Sequence, residues 1–356
     1  MESKSHNLNR PILIVANSSW YLNHYRSLLI KELKNNYKYV IAMCPIDSST
    51  NKLSKYILHI PLRIDRSGGL SPISLLISLI RMFFIVRALK PSLIHSHTLK
   101  ANFITSIISA FYGIPVIYSF AGMGRMFSSS SYKKFVFNRI LRIMFFFSSL
   151  IRVSKFKIKK NEIRCNYIFQ NPRDLKFVNS VVKPSKKIFE NFSLIPGSGV
   201  PELYFKNVKS IQNGWIKDSP NKLIPFEIDK IKFIFCGRLI KSKGIYEFCK
   251  IANFLNKNEY YVYGDFDKIS DENSNENTLK QELICNKNTK LLGNVANPLL
   301  NHLNDFPILL LLSEYGEGLP RTIIEAMSLC IPVVSTKIAA CELFDSRYLY
   351  LLDSKN

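Results

Sequence analysis

Short apolar runs alternate with longer stretches of helical periodicity along the first half of the chain. The runs have the length of strands and cover residues 11–16, 39–44, 57–62, 93–95 and 116–118. Polar residues 17–20 predict a turn, and apolar residues recur at helical spacing over 26–33, 70–90 and 101–112. Strands that alternate with helices in this way predict a parallel sheet covered by helices on both faces.

The same alternation begins again in the second half. Apolar runs at 231–236, 260–263 and 306–312 predict strands, and residues 245–255 and 278–284 predict helices. The pattern loosens near Lys183, so we divide the chain into an N-terminal domain, 1–184, and a C-terminal domain, 185–356. The predicted fold class is α/β with two Rossmann-like, doubly wound domains. In such folds ligands bind beyond the carboxyl ends of the strands, here in a cleft between the domains.

The stretch 314–327 follows the last predicted strand and predicts a tight turn that leads into a helix. Pro320 suits the first helical position, because its missing N–H would have no partner there. A helix start offers free N–H groups and a positive dipole end, which favour an anion. The carboxylates of Glu317 and Glu325 suit hydroxyl groups attached to that anion, as in a sugar nucleotide. As an isolated pair they are a weak signal, since acids near a helix start often only balance the dipole.

A basic loop follows the strand at 231–236. Arg238 and Lys243 lie five residues apart between Gly237 and Gly244. Two fixed cations can bind a diphosphate and stabilise its charge as it leaves, without a metal ion. The alternative is a solvated basic turn, and the loop by itself does not separate the two.

Two other patterns are candidates for metal binding. Asp265 and Asp267 form a D-x-D pattern, and His95 and His97 share one face of a strand. No third ligand lies at a fitting spacing from the two histidines. We therefore expect metal-independent chemistry with no cofactor, and we interpret the two histidines as a polar strand end near the cleft.

Positive charge is concentrated in the first half. Residues 1–184 hold 28 Lys and Arg against 6 Asp and Glu, whereas residues 185–356 hold 21 against 20. Within the first half, residues 125–164 combine eleven Lys and Arg and a single acid with many aromatic residues. Three interpretations are open: packed helices with solvated charges, a nucleic-acid surface, and a membrane-docking surface. Runs of Phe, Ile and Leu favour docking on an anionic membrane over nucleic-acid binding.

Cysteine usage and hydropathy bear on the compartment. The seven cysteines are scattered without a C-x-x-C pair, which predicts reduced thiols in the cytoplasm. The run at 11–16 is too short for a signal-peptide core, and no uninterrupted apolar segment reaches the roughly 18 residues of a spanning helix. The longest apolar stretches, 70–89 and 135–151, are interrupted by arginines and predict amphipathic helices.

Several motifs together resemble the family 4 retaining glycosyltransferases, which have the GT-B fold and an E-x7-E signature. In the second half they are Cys236-Gly237-Arg238-Leu239, Lys243-Gly244, Glu317-Gly318-Leu319-Pro320, Glu325-Ala326-Met327 and Ile331-Pro332-Val333-Val334. The first half resembles one branch, the polyprenyl-diphosphate-linked sugar transferases of bacterial O-antigen, capsule and glycan assembly. Its matching pieces are Asn17 to Arg26, Thr98-Leu99-Lys100, Gly122-Met123-Gly124, Phe169 to Asp174 and Ile195 to Val200.

The resemblance implies a role for each candidate site residue. Arg238 and Lys243 would bind the diphosphate of a nucleotide sugar and act in catalysis together with Glu317, which would contact the donor sugar. Glu325 would hold the ribose hydroxyls. The other residues implied in donor binding are Gly318, Leu319, Pro320, Gly237, Gly122 and Gly124. The residues that would face the acceptor are Asn17, Trp20, Arg26 and Lys100.

The resemblance also implies an activity and a location. A sugar of the N-acetylhexosamine type would pass, with retention, from a UDP-sugar to a polyprenyl-diphosphate-linked saccharide at the inner face of the cell membrane. The N-terminal domain would face the acceptor and the anionic membrane. The sequence departs from the family at Ala121 and Gly316, and it ends at Asn356, where the family continues with a strand and a helix. The alternative function is a non-catalytic, membrane-associated scaffold with a degenerate glycosyltransferase fold.

Overall fold

The structure is a computed structural model that describes most of the chain in separate ranges. The described residues are 10–64, 72–123, 131–150, 165–184, 190–206, 231–266, 283, 286–303, 307–314, 318–338, 341, 343–344 and 349–352. The chain divides into two compact units, Met1–Ser198 and Gly199–Asn356. We refer to these units as the first and second domains.

The first domain is built on a parallel sheet. Its strands in the described ranges are β1 (Ile12–Val15), β2 (Val40–Cys44), β3 (Leu58–Pro61), β4 (Leu93–His97), β5 (Val116–Phe120), β6 (Cys165–Phe169) and β7 (Phe192–Leu194). They lie in the order β3-β2-β1-β4-β5-β6-β7, and all neighbours run parallel. The carboxyl ends of all these strands therefore meet at one edge of the sheet, where ligands of such sheets bind.

Helices cover both faces of this sheet. They are α1 (Ser19–Tyr25), α2 (Ser27–Asn36), α3 (Thr50–Ser54), α4 (Pro72–Leu89), α5 (Leu99–Tyr112), α6 (Ser131–Leu150) and α7 (Pro172–Val182). Leu13 and Val15 of β1 belong to a core shared with residues of α4 to α7, whereas Ile14 belongs to a second core with Leu22 and Ile30 of α1 and α2. Because successive strand residues point to opposite faces, β1 is buried on both sides.

The second domain repeats the design on a smaller scale. Its described strands are β8 (Lys232–Cys236), β9 (Glu259–Tyr263), β10 (Thr289–Gly293), β11 (Ile308–Leu311), β12 (Val333–Thr336) and β13 (Tyr350–Leu352). They form a parallel sheet in the order β10-β9-β8-β11-β12-β13. Its described helices are α8 (Leu203–Lys206), α9 (Ile245–Phe254) and α10 (Arg321–Ser328), with short 3-10 turns at Lys241–Lys243 and Pro298–His302.

The predicted α/β architecture is confirmed, with a doubly wound parallel sheet in each domain. The turn predicted at 17–20 is wrong, because helix α1 already begins at Ser19 and the Ser18 hydroxyl caps it by accepting a hydrogen bond from the Tyr21 N–H at 3.0 Å. The helix predicted at 278–284 lies outside the described residues except for Leu283.

Strand β7 lies beyond the domain boundary that the sequence suggested between residues 184 and 185. Phe192–Leu194 pair with residues 167–169 of β6 and so extend the first sheet. The first compact unit accordingly continues to Ser198. Within the described ranges no helix is both long and apolar enough to cross a membrane.

Candidate functional site

The basic loop of the second domain is anchored at the carboxyl end of β8. The Gly237 N–H donates a hydrogen bond to the Tyr263 carbonyl at 2.9 Å, and the Leu239 N–H donates to the Asp265 carbonyl at 3.0 Å. The loop then closes through the 3-10 turn at 241–243 and leads into α9. Arg238 and Lys243 are therefore both held at the edge of the sheet, as the sequence predicted.

A glycine brings this basic loop against the end of β11. Gly244 has φ +80°, and a Cβ at this position would lie 2.1 Å from the Leu312 carbonyl oxygen. The Ser242 carbonyl accepts hydrogen bonds from the Ser313 hydroxyl at 3.2 Å and from the Glu314 N–H at 3.1 Å. The loop that carries the two cations is thus fastened to the residues that begin the acidic turn.

A second glycine brings the ends of β8 and β9 together. Gly264 follows β9 with φ +145°, and a Cβ there would lie 1.7 Å from the Gly237 carbonyl oxygen. No residue with a side chain fits this approach without a shift of the backbone. The carboxyl ends of three neighbouring strands, β9, β8 and β11, are therefore joined by backbone contacts.

Helix α10 supplies a buried carboxylate at the same edge. The sequence predicted Pro320 at the first helical position. In the structure Pro320, with φ −60° and ψ 121°, lies just before the helix, which begins at Arg321. Glu325 is 7 % exposed, and its Oε1 lies 2.7 Å from the Arg321 Nε. The hydroxyl of the buried Tyr204 also hydrogen-bonds to this carboxylate and lies 3.3 Å from the Asn297 Oδ1.

Burial is the largest influence on the Glu325 carboxylate. It raises the pKa of Glu325, whereas the Arg321 charge and the hydrogen bonds from Arg321 and Tyr204 oppose the rise. Burial also raises the pKa of the Tyr204 hydroxyl. A carboxylate held in this way by two donors keeps its orientation, which suits it to accept hydrogen bonds from ligand hydroxyl groups.

The structure describes only some of the other residues predicted to bind the donor. Gly318, Leu319 and Pro320 lie directly before α10, and Gly318 and Pro320 are buried. Glu317 and Gly124 lie outside the described residues, so their roles stay predictions. Sequence reasoning missed Arg321 and Tyr204 as partners of Glu325.

In the first domain, Asn17 and Trp20 lie beyond the carboxyl end of β1. Asn17 is half-buried. The Trp20 N–H donates to the Asp47 carboxylate at 3.0 Å, and the Trp20 ring stacks on His24 with a centroid distance of 4.5 Å. Trp20, which was predicted to face the acceptor, is therefore held by its backbone to the loop after β2 and by its ring to His24 of α1.

Arg26 lies within a cluster of aromatic and imidazole side chains. Its Nη2 donates to the Tyr21 hydroxyl at 2.9 Å, and its Nε donates to the His97 Nδ1 at 3.2 Å. The His95 and His97 rings lie 4.1 Å apart, which confirms that they share a strand face. The His95 Nε2 lies 2.9 Å from the Ser119 hydroxyl.

Both histidines of this cluster are kept neutral. Burial, with the Arg26 charge as a smaller cause, lowers the pKa of His95 to about 3. Burial, His95 and Arg26 lower the pKa of His97 well below its usual value. The His97 Nδ1 accepts from Arg26, so its proton resides on Nε2. Among the described residues there is no group of three side chains able to hold a metal ion.

Lys100 is in the first turn of α5, and the residue directly before this helix has an unusual backbone conformation. Thr98 has φ 74° and ψ 151°, a conformation that a β-branched residue rarely adopts. Its N–H donates to the Ser119 carbonyl at 3.2 Å, and its carbonyl accepts from the Asn102 N–H at 2.9 Å. The hydrogen bonds on both sides hold the outlier, which lies at the carboxyl end of β4.

A carboxylate to which the sequence analysis assigned no role anchors the glycine loop after β5. Gly122 is exposed with φ 105°, and the next residue, Met123, donates its N–H to the Asp174 carboxylate at 3.2 Å. The Asp174 N–H donates to the Asn171 Oδ1 at 2.8 Å, which caps α7. Burial raises the pKa of Asp174 to about 6. The Asn-x-x-Asp spacing was the available signal.

Two family matches cover most of the chain. Residues 11–154 match the family described as "Glycosyl transferase 4-like", and residues 230–355 match the family described as "Glycosyl transferases group 1". Both domains therefore carry the sequence pattern of glycosyltransferases.

Known proteins agree with these matches. The capsular polysaccharide biosynthesis glycosyltransferase CapM of Staphylococcus aureus is 25 % identical over 299 residues, which are 82 % of this chain and 71 % of CapM. Among solved structures, Alr3699/HepE of Anabaena, in complex with UDP and glucose, superposes with a TM-score of 0.68 at 16 % identity, covering 98 % of this chain and 87 % of that one. The fold is GT-B.

The fold by itself does not decide the activity. The UDP-GlcNAc 2-epimerase of Neisseria meningitidis also superposes, with a TM-score of 0.59 at 15 % identity over 97 % of this chain and 88 % of that one. The family matches make the distinction, because both describe glycosyltransferases. The chain is accordingly a glycosyltransferase with a 4-like first domain and a group 1 second domain.

Proposed function

We propose that this protein is a retaining glycosyltransferase that moves a sugar from a UDP-sugar to a polyprenyl-diphosphate-linked saccharide during the assembly of a surface polysaccharide. The observation that carries the proposal is the edge of the second sheet, where the loop of Arg238 and Lys243 is fastened to Glu314 and the buried Glu325 lies in the same domain. A relative named for capsular polysaccharide biosynthesis and a structural neighbour crystallised with UDP support it.

The donor would bind by its two halves. Arg238 and Lys243 carry charges that match a diphosphate, and charge-assisted hydrogen bonds of this kind are stronger than neutral ones. The Glu325 carboxylate, oriented by Arg321 and Tyr204, accepts hydrogen bonds from the ribose hydroxyls. Glu317 contacts the hydroxyls of the transferred sugar, for which we propose the N-acetylhexosamine type.

The reaction follows from the charges of this site. The bond between the anomeric carbon and the diphosphate oxygen breaks, and the acceptor hydroxyl forms the new bond on the same face of the sugar. The hydroxyl proton passes to the departing diphosphate, whose charge Arg238 and Lys243 stabilise. These two cations supply the stabilisation that a metal ion gives in other transferases, so the step requires neither a metal nor a cofactor.

The acceptor sets the location. A polyprenyl diphosphate lies in the membrane, so the protein would act in the cytoplasm on the inner face of the cell membrane. Asn17, Trp20, Arg26 and Lys100 of the first domain would face the acceptor. Gly122 and Gly124 would approach the donor.

The test is UDP release with a lipid-linked acceptor and a panel of UDP-sugars. Lys243→Ala and Glu317→Ala are expected to abolish turnover, whereas Lys241→Ala, an exposed residue of the same 3-10 turn, should retain it. Chelation of divalent metals should leave the rate unchanged, and the product should keep the anomeric configuration of the donor.

Two outcomes would contradict the proposal, and a third would contradict the specific role of Lys243. A folded protein that binds UDP but transfers no sugar from any donor to any lipid-linked acceptor would favour the non-catalytic scaffold. Conversion of a UDP-sugar without an acceptor would indicate an epimerase. An equal loss of turnover in Lys241→Ala and Lys243→Ala would show that the loop acts only through its overall charge.

A further inference from the structure

Helix α4 is apolar on both of its faces. Its inner face places Met82 and Val86 in the core of the first domain, where both are almost fully buried. The outward face leaves a continuous apolar stripe between 49 % and 72 % exposed, made of Ile73, Leu76, Ile77, Ile80 and Phe84. A surface helix normally carries polar side chains on its outer face. The amphipathic helix that the sequence predicted at 70–89 is therefore amphipathic only in part.

The stripe continues onto the next helix. Phe111, near the end of α5, is 70 % exposed, and its ring centroid lies 5.1 Å from that of Phe83. The Tyr112 hydroxyl donates to the Phe83 carbonyl at 3.2 Å and ties the two helices together. We call Ile73, Leu76, Ile77, Ile80, Phe84 and Phe111 the α4 face. A contiguous apolar surface of this kind marks an interaction site.

The charges around the α4 face have one sign. The sequences of α4, α5 and α6 contain seven Lys and Arg and no Asp or Glu. Arg81 and Arg87 are exposed on α4 beside the apolar stripe. Helix α6 packs against α5 and exposes Tyr132 and Phe135.

This charge pattern selects one occupant for the face. A second copy of the chain would bring its own arginines against Arg81 and Arg87, and like charges repel. An anionic lipid surface instead complements the arginines, and its acyl chains accept the isoleucine, leucine and phenylalanine side chains. The three helices together therefore match an anionic membrane interface better than a second copy of the chain.

We propose that the α4 face is the part of the protein that enters an anionic membrane interface. Helix α4 lies in the plane of the membrane, with its apolar stripe at the boundary between head groups and acyl chains and with Arg81 and Arg87 at the phosphates. The proposal rests on the proposed function, because a polyprenyl-linked acceptor must be reached in the membrane. It differs from the sequence-based prediction, which placed the docking surface at 125–164.

The test is vesicle flotation of the full chain without any substrate. Wild-type protein should float with phosphatidylcholine–phosphatidylglycerol vesicles and less with phosphatidylcholine alone. Phe84→Ser, and independently Ile73→Ser at the far end of the stripe, should weaken partitioning about tenfold each, because each removes one inserted side chain. The matched control is Phe254→Ser in the second domain, where the phenylalanine is 85 % exposed and partitioning should stay unchanged.

The electrostatic part has its own variants. Arg81→Gln and Arg87→Gln should each weaken binding to the anionic vesicles about fivefold and should reduce its salt dependence. Their binding to neutral vesicles should equal that of the wild type. Equal losses of binding to anionic and to neutral vesicles would show that the two arginines do not contact anionic lipid.

Two results would overturn the proposal as a whole. In the first, Phe84→Ser and Ile73→Ser both bind anionic vesicles as the wild type does. In the second, sedimentation shows a wild-type dimer that Phe84→Ser converts to a monomer, which would make a second copy the occupant. Flotation and glycosyl transfer are separate readouts. A protein that binds vesicles in a manner dependent on α4 but transfers no sugar would contradict the proposed function and leave this inference standing.

Discussion

The carboxyl edges of the two sheets use different polar chemistry. In the second domain the buried acid Glu325 has its own cation, Arg321, at 2.7 Å, and glycines bring the backbone of neighbouring loops into contact. In the first domain the buried groups beside Arg26 are two imidazoles whose pKa values are depressed. The first edge therefore contains a cation with a neutral partner, and the second contains a paired charge.

The difference matters for what each edge can bind. A neutral imidazole accepts a hydrogen bond from Arg26 but does not cancel its charge, as a carboxylate would. Under the proposed function, that remaining charge suits the diphosphate of a lipid-linked acceptor. Under the same proposal the second edge would separate its tasks, with Arg238 and Lys243 for the donor diphosphate and Glu325 for hydroxyl groups. Variants at four places test this difference between the two edges: the backbone contacts, the charge pair, the imidazoles and the glycine-loop anchor.

The largest effect is expected at the backbone contacts of the second edge. Gly244→Ala must force a Cβ to within 2.1 Å of the Leu312 carbonyl oxygen at φ +80°, so the free energy of unfolding should fall by roughly 3 kcal/mol. The matched control is Gly237→Ala, whose Cβ would meet nothing closer than 3.8 Å. Urea unfolding of both variants measures the difference. Equal stabilities would mean that the loop does not depend on this close approach.

The charge pair comes next. Arg321→Gln leaves the buried Glu325 without its cation and should cost about 3 kcal/mol, whereas the double variant Arg321→Gln/Glu325→Gln should recover part of the loss. Because burial already raises the pKa of Glu325 and Arg321 opposes the rise, the single variant should also lose UDP affinity at a higher pH than the wild type as the pH is lowered. Calorimetric UDP titration across pH measures the shift, and an unchanged pH profile would contradict it.

The imidazoles of the first edge predict how stability depends on pH. A histidine with a depressed pKa binds its proton less tightly in the folded than in the unfolded chain, so stability falls as the pH drops below about 6.5 and continues to fall to about pH 3 for His95. At pH 5 the loss from His95 is roughly 2 kcal/mol. His95→Gln should make the free energy of unfolding depend less on pH. Its stability should be closer to that of the wild type at pH 5 than at pH 8. An identical slope in the variant would show that His95 is not buried as a neutral group.

Much of the fold was readable because its signals are local. Buried parallel strands are short apolar runs, and a cation pair between two glycines marks the loop after β8 within eight residues. The Arg321–Glu325 pair was also local, at the i, i+4 spacing of a helix, but Glu325 had been interpreted only for ligand contacts and Arg321 had been given no role. Tyr204 could not be inferred, because its contact with Glu325 joins residues far apart in the sequence.

The two faces of α4 show a different kind of limit. An apolar run gives the same pattern whether a residue points inward, as Met82 does, or outward, as Phe84 does. Only the packing of α4 on the sheet separates the two sets. The start of α1 was missed for the opposite reason: its first residues, Ser19 and Trp20, contact polar partners, the Pro45 carbonyl and Asp47, so they carry little apolar periodicity.

The smallest effect is expected at the anchor of the glycine loop. Asp174→Ala removes the acceptor of the Met123 N–H and should cost about 1 kcal/mol at pH 8, where a carboxyl with a pKa of about 6 is ionised. Asp174→Asn keeps an accepting oxygen and should restore part of the loss. Amide hydrogen exchange gives the local readout: the Met123 amide should exchange faster in Asp174→Ala than in the wild type. If it stays equally protected, the loop after β5 is held by other contacts, and the first edge would then resemble the second in depending on its backbone.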